Sequence, residues 1–167
     1  DFQKKQLALS KDARDKQEAV IRARQQALQD RADQLEQLMR KREGDLVNID
    51  VSAELDGYWA DSGASFAVGE VSPRARALLS STRAALSDAI AQVRAGAPLR
   101  NIGRAVERRA KRSGFRVVRN LCGHGVGRHI HEEPQVPNVY ERNNPVVLHE
   151  GLVLTIEPFF TTSATYT

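Results

Sequence analysis

The spacing of apolar and polar positions divides the chain into a first segment with helical character and a remainder that alternates strands and helices. Residues 3–42 contain no Gly and no Pro and are built mainly from Gln, Ala, Lys, Arg, Glu and Leu, all good helix formers, so one long helix is expected there. Its apolar positions form a single column, Leu7, Ile21, Leu28 and Leu35, with Arg14 interrupting and the companion positions Ser10, Gln17, Arg24 and Arg31 polar. A seam that narrow makes a poor coiled coil alone, and a helix polar nearly all round needs a partner. Gly44 marks a boundary, which divides the chain into a helical arm (1–43) and a domain (44–167). From Asp45 the period becomes two. Val47, Ile49, Val51 and Ala53 alternate with Asn48, Asp50, Ser52 and Glu54, and Asp56-Gly57 then separates this run from Tyr58–Val68. Asp-Gly between two such runs signals a hairpin. With those two residues as the loop, Asp50 faces Gly63 and Ser52 faces Asp61. Asp50 and Asp61 then share one face as diagonal neighbours, their Cβ atoms about 7 Å apart.

Ser72-Pro73 combines an N-cap with a proline in the first turn and predicts a helix to Gly96 whose apolar positions are Leu78, Leu86, Ile90 and Val93. A second helix is expected from Pro98 to Ser113, with Ile102, Val106 and Ala110 inward and Gly114 as its stop. Phe115–Leu121 reads as a strand. Leu152–Glu157 reads as another, with Leu152, Leu154 and Ile156 on one side and Val153, Thr155 and Glu157 on the other; pairing is expected to weaken after Glu157 because Pro158 has no N–H to donate. The class is α+β.

Charge and composition narrow the partners. Residues 1–43 carry 11 basic and 8 acidic side chains, against 14 and 13 in the rest, so the basic balance lies mostly in the first segment. The second helix has a basic face (Arg100, Arg104, Arg108, Arg109, Lys111 and Arg112, continued by Arg116 and Arg119) that suits ribosomal RNA phosphate, yet no aromatic residue is interleaved for base stacking, so a solvated face is the plainer account. A single cysteine excludes an intramolecular disulfide framework and is compatible with a reducing compartment. No apolar run of about 18 residues is present and the first thirty residues are polar, so a cytoplasmic protein without a membrane span is expected.

The densest chemistry lies in Cys122–Pro134, C-G-H-G-V-G-R-H-I-H-E-E-P, which holds three of the four histidines. Arg128 stands where a dinucleotide-binding fingerprint wants its third glycine, so a phosphate cradle is rejected. Two hairpin aspartates, His124, His131 and a strand-end Glu157 together suit hard or borderline divalent ions better than a thiolate zinc site.

These residues resemble the type I methionine aminopeptidases. The likeness is carried by Asn48-Ile49-Asp50-Val51, Asp56-Gly57-Tyr58 with Asp61, Cys122–Arg128, His131–Pro137 and Thr155-Ile156-Glu157-Pro158, over about residues 44–165. The intervals Asp50 to Asp61, His124 to His131 and His124 to Glu157 agree with the family's order. Prolidases share part of this skeleton, but Gln135–Asn138 and Glu157-Pro158-Phe159 look more like the methionine enzymes. The resemblance implies a pita-bread antiparallel sheet with covering helices, incomplete here and preceded by the long helix, and a centre of two divalent ions (Co, Mn, Fe or Zn). By that resemblance Asp50 chelates one ion, Asp61 and Glu157 bridge, and His124 ligates the other. His131 hydrogen-bonds the scissile peptide, Glu157 shuttles the proton, and Ile130 takes the place of a Phe in the wall of the methionine pocket. The implied substrate is the N terminus of a nascent polypeptide. The family's preceding segment with a further catalytic His, and its final bridging Glu, are not located in the chain, which therefore supplies four of five expected ligands. Two other readings stand beside this one: a non-catalytic pita-bread binding module that grips peptide ends or a ribosomal surface, and homo-oligomerisation through the helical arm.

Overall fold

A computed structural model describes residues 42–163. The helix expected over 3–42 falls almost wholly outside them. After a turn at 42–44, strand β1 (Leu46–Leu55) and strand β2 (Tyr58–Ala67) form an antiparallel hairpin with Asp50 opposite Gly63 and Ser52 opposite Asp61. Asp56 and Gly57 take φ of 53° and 78°. Positive φ at both loop residues matches the right-handed twist of the flanking strands, which is why this dipeptide sets the register.

Helix α1 (Pro73–Ile90) starts as expected, with the Ser72 hydroxyl accepting from the Ala75 amide at 3.2 Å. It ends six residues before Gly96, and Ile90 and Val93 are exposed instead of inward. The buried positions are Ala85 and Ala89, small enough to let the next helix approach closely. Helix α2 (Arg100–Arg112) begins after Leu99, which offers no side-chain cap; Ile102, Val106 and Ala110 are buried, and Gly114 follows at φ 72°. Gly103 lies so close to the backbone of residues 137–139 that an added Cβ would come within 2.1 Å of the Val139 carbonyl oxygen. That glycine sets the distance between the helix and this segment.

The strands after α2 are shorter than the apolar pattern suggests. The run expected over Phe115–Leu121 is regular only in β3 (Arg116–Val117), which pairs antiparallel with β6 (Phe160–Thr161). Pairing thus resumes beyond Pro158 instead of fading there. Strands β4 (Cys122–Gly125) and β5 (Glu132–Pro137) pair with a shift at His124/Gly125. Residues 152–157 are not a regular strand, but they line the other side of β4 through Thr155 N–H to His124 O (2.7 Å), Val126 N–H to Val153 O (3.2 Å) and a bridge between Gly125 and Leu154. In place of one continuous sheet, the described residues therefore hold three two-stranded antiparallel pairs with two helices, an α+β arrangement.

The core is Ala89, Ala97, Leu99, Ile102, Val106, Val136 and Leu148, with Leu152, Leu154, Ile156 and Phe160 packed against it. The 152–156 alternation works as its pattern implies: even-numbered residues face this core, Val153 faces outward, and Thr155 and Glu157 turn toward His124.

Candidate metal centre

His124 is the most enclosed member of the site, with 8 % of its surface exposed. The glycines on either side explain how the chain admits it. A Cβ on Gly123 would come within 2.4 Å of the Thr155 carbonyl oxygen, and one on Gly125 within 2.3 Å of the Glu133 carbonyl oxygen. Both contacts are with backbone, so only glycine permits β4 to sit this close to its two neighbours.

One nitrogen of the ring is taken up by a backbone contact. Nδ1 lies 2.9 Å from the Gly125 carbonyl oxygen, which can only accept, so Nδ1 carries a proton and donates it. In the neutral ring Nε2 then presents its lone pair, and it faces two carboxylates: Glu157 Oε1 at 3.3 Å and Asp61 Oδ2 at 3.4 Å. Among the described residues these three offer ligand atoms that all lie within 4.8 Å of one another. A lone pair and two anionic oxygens repel unless a cation lies between them, either a proton on Nε2 or a metal ion. One imidazole and two carboxylates carry two negative charges, and the donor set fits a divalent ion of the Mn, Fe, Co or Zn kind. The Nδ1–H donation to a backbone carbonyl is the hydrogen bond that orients metal-binding imidazoles.

Asp61 reaches the site because the hairpin is fastened to the glycine loop. The Trp59 amide donates to the Gly127 carbonyl at 2.7 Å, and the Arg128 guanidinium lies 3.8 Å above the Tyr58 ring while donating to the Tyr58 hydroxyl at 2.8 Å. The Ser52 hydroxyl donates to Asp61 Oδ1 at 3.0 Å, leaving Oδ2 toward His124. Asp50 does not join the three. It is exposed, and its carboxylate lies over Gly63 on the hairpin face that also carries Ser52 and Asp61. The His131 ring meets the His124 ring edge to face, centroids 4.4 Å apart at 73°. Ile130 is half-buried in the loop before it.

Three further residues support the site in ways that the sequence did not assign to them. Thr155 accepts from the His124 amide at 2.9 Å and donates to Glu157 Oε1. Asn138, 2 % exposed, donates through its side-chain amide to the Leu121 and Glu157 carbonyls (3.0 and 2.6 Å), joining the start of β4 to the segment bearing Glu157. Arg128 acts through the hairpin contact. A polar residue in a motif can be noticed, but the atom it bonds cannot be read before the fold is known. Cys122 has no such part. Burial pushes its thiol above the ordinary cysteine range, and the Glu157 and Glu141 carboxylates add to this, so it stays protonated.

The profile of metallopeptidase family M24 matches residues 12–166. The chain belongs to metallopeptidase family M24. The family match begins well inside the first 43 residues, so it covers most of that segment as well as the described domain. The methionine aminopeptidase of Staphylococcus epidermidis is 44 % identical over 127 residues, which is 75 % of this chain and 51 % of that protein. Among solved structures, methionine aminopeptidase from Thermotoga maritima superposes with a TM-score of 0.70 at 37 % identity, covering 72 % of this chain and 49 % of the other. Prolidase from Pyrococcus furiosus gives 0.63 at 30 % identity, over 70 % and 34 %. The M24 likeness is thus greater toward the methionine enzyme on both measures. The chain spans about half the length of the curated relatives it matches.

Proposed function

We propose that this chain provides the metal-binding portion of a methionine-aminopeptidase-type hydrolase, which removes the N-terminal methionine from nascent polypeptides in the cytoplasm. The observation that carries the proposal is His124 Nε2 facing the Asp61 and Glu157 carboxylates with His131 against the same ring. In this reading His124, Asp61 and Glu157 hold a divalent ion, and Asp50, on the same hairpin face as Asp61, extends the ligand set toward a second. When bound, such ions polarise the scissile carbonyl and make a water acidic enough to attack at neutral pH. The chain's own groups do the rest. His131 is exposed beside His124 and can donate a hydrogen bond to the oxygen that gains charge as the peptide carbon becomes tetrahedral. Glu157 takes the proton lost by the water and returns it to the departing amine. Ile130 contributes to the wall of the methionine pocket.

Support for cytoplasmic substrates comes from the similarity to methionine aminopeptidases; among the described residues no helix is long and apolar enough to cross a membrane. A ribosome contact would fall to the basic face of α2. Arg109 and Arg112 bind Asp88, Arg100 donates to the Asn144 carbonyl, Arg104 covers the Tyr140 ring and Arg119 pairs with Glu107, so much of the basic face already serves the fold. Self-association would fall to residues 1–43.

The test is release of methionine from a Met-Ala-Ser peptide by folded protein supplied with Mn or Co. Turnover that His124→Ala abolishes is the expected result. A second reading, a module that binds peptide ends without cleaving them, is favoured by the position of Asp50 outside the three-residue group. Folded protein that binds metal and peptide but releases no methionine would select it.

A further inference from the structure

The site contains a link between two of its proposed ligands, made by a side chain outside the three-residue group. A threonine hydroxyl has one proton and two lone pairs. At Thr155 one lone pair is taken by the His124 amide, 2.9 Å away, so the proton has to point elsewhere. Two acceptors are within reach: the His124 carbonyl at 3.4 Å, and the Glu157 Oε1, which is much nearer. The nearer acceptor is also charged, and a charge-assisted bond is the stronger one, so the proton goes to Glu157. That oxygen is the one facing His124 Nε2. The Thr155 amide in turn donates to the His124 carbonyl at 2.7 Å, so backbone and side chain of one threonine hold both ends of the pair.

We propose that Thr155 is a positioning residue of the metal centre: anchored on the backbone of His124, its hydroxyl holds the Glu157 carboxylate so that the two ligands meet an ion as one preformed unit. The inference rests on the metal-centre reading given above. A free Glu side chain samples many rotamers, and the ordering is done in advance by a β-branched residue that is itself stiff at χ1. Gly123 belongs to the same device, because a Cβ there would lie 3.1 Å from the Thr155 hydroxyl oxygen and closer still to its carbonyl.

The experiment compares Thr155→Val, which keeps the shape and removes the hydroxyl, with Thr155→Ser, which keeps the hydroxyl. Mn and Co binding is followed by calorimetry and unfolding is followed in chelator. Thr155→Val should weaken affinity about 10-fold or more, the range seen when partners of metal ligands are removed, and Thr155→Ser should restore it to within about 3-fold of wild type. Rescue by Ser with an unchanged metal-free melting temperature separates positioning from simple packing. Should Thr155→Val fail to fold, Thr155→Cys, a weak donor, replaces it and should bind at least about 5-fold more weakly than Thr155→Ser. Wild-type protein that binds the ions while the hydroxyl-free variant binds them equally well overturns the positioning role alone. Wild-type protein that binds neither ion overturns the metal-centre reading and this role with it.

Discussion

The hairpin β1–β2 and the unit formed by α2, β4, β5 and residues 152–157 each supply side chains to the Asp61, His124 and Glu157 group, and they are built in opposite ways. Every residue of β1 except Leu46 is exposed, including Val47, Ile49, Val51 and Leu55, whereas Ile102, Val106 and Val136 in the other unit are at most 1 % exposed. The hairpin owes its shape to local turn chemistry, and the packed unit owes its shape to close contact. A two-stranded hairpin is marginal by itself. Asp61 is therefore placed largely by the Trp59–Gly127 bond and the Arg128–Tyr58 contact, while His124 and Glu157 are held from several sides. We expect the site to have one rigid wall and one adjustable one.

The sharpest way to break this contrast is to add one methyl group to each region. Gly123→Ala should cost about 3 kcal/mol or more in a urea unfolding curve, because its Cβ meets backbone at 2.4 Å and the backbone must shift. Gly63→Ala should cost little or be stabilising, since its Cβ would meet the Asp50 carboxylate at 3.2 Å, a side chain free to swing away. Deleting side chains gives the same contrast. Ile102→Ala should cost about 2–5 kcal/mol, and Ile49→Ala, half exposed, under about 0.5 kcal/mol. Equal losses would mean that the hairpin face is covered in solution.

For the proposed ligands, Asp61→Ala should weaken Mn or Co binding about 100-fold, about 2.7 kcal/mol, while Glu133→Ala, outside the three-residue group, should stay within about 2-fold. Equal effects in a calorimetric titration would discredit the assigned centre. Arg128→Ala should cost about 1 kcal/mol by loosening the hairpin from the loop, with a few-fold loss of metal affinity and little change in the helical signal. Unchanged affinity would show that the Trp59–Gly127 bond suffices. The smallest effect lies away from the site. The Arg109 side chain bonded to Asp88 holds that carboxyl below its usual range, with Arg109 and Arg112 charges assisting against a smaller cost of burial. A depressed folded-state pKa gives stability that is present above the unfolded value near 3.9 and is lost as pH falls through the folded one. Asp88→Asn should therefore lower stability at neutral pH by under about 1 kcal/mol, with the difference fading in acid melts below about pH 4.

Much of the local structure was legible because its causes are local. Asp56-Gly57 determines the hairpin and its register, since few other dipeptides tolerate positive φ twice. Ser72-Pro73 determines where α1 begins, and the alternation from Leu152 to Ile156 determines which side meets the core. Glu157 follows from the same alternation, and Asp61 from the register. What lay beyond the sequence depends on contacts between distant segments. The apolar pattern carried α1 on to Gly96 with Ile90 and Val93 inward, but the helix ends at Ile90, its packed face is made by Ala85 and Ala89, and those larger side chains stay in solvent. Phe115–Leu121 reads as a strand, yet it pairs only as far as β6 reaches. Asp50 and Asp61 share a face by register alone, but which of them meets His124 is decided by where Gly127 and Arg128 pin the hairpin. The Thr155 hydroxyl is the clearest case. Its presence is plain in the sequence, but its direction is set by an amide 31 residues away, and only the folded backbone brings that amide within reach.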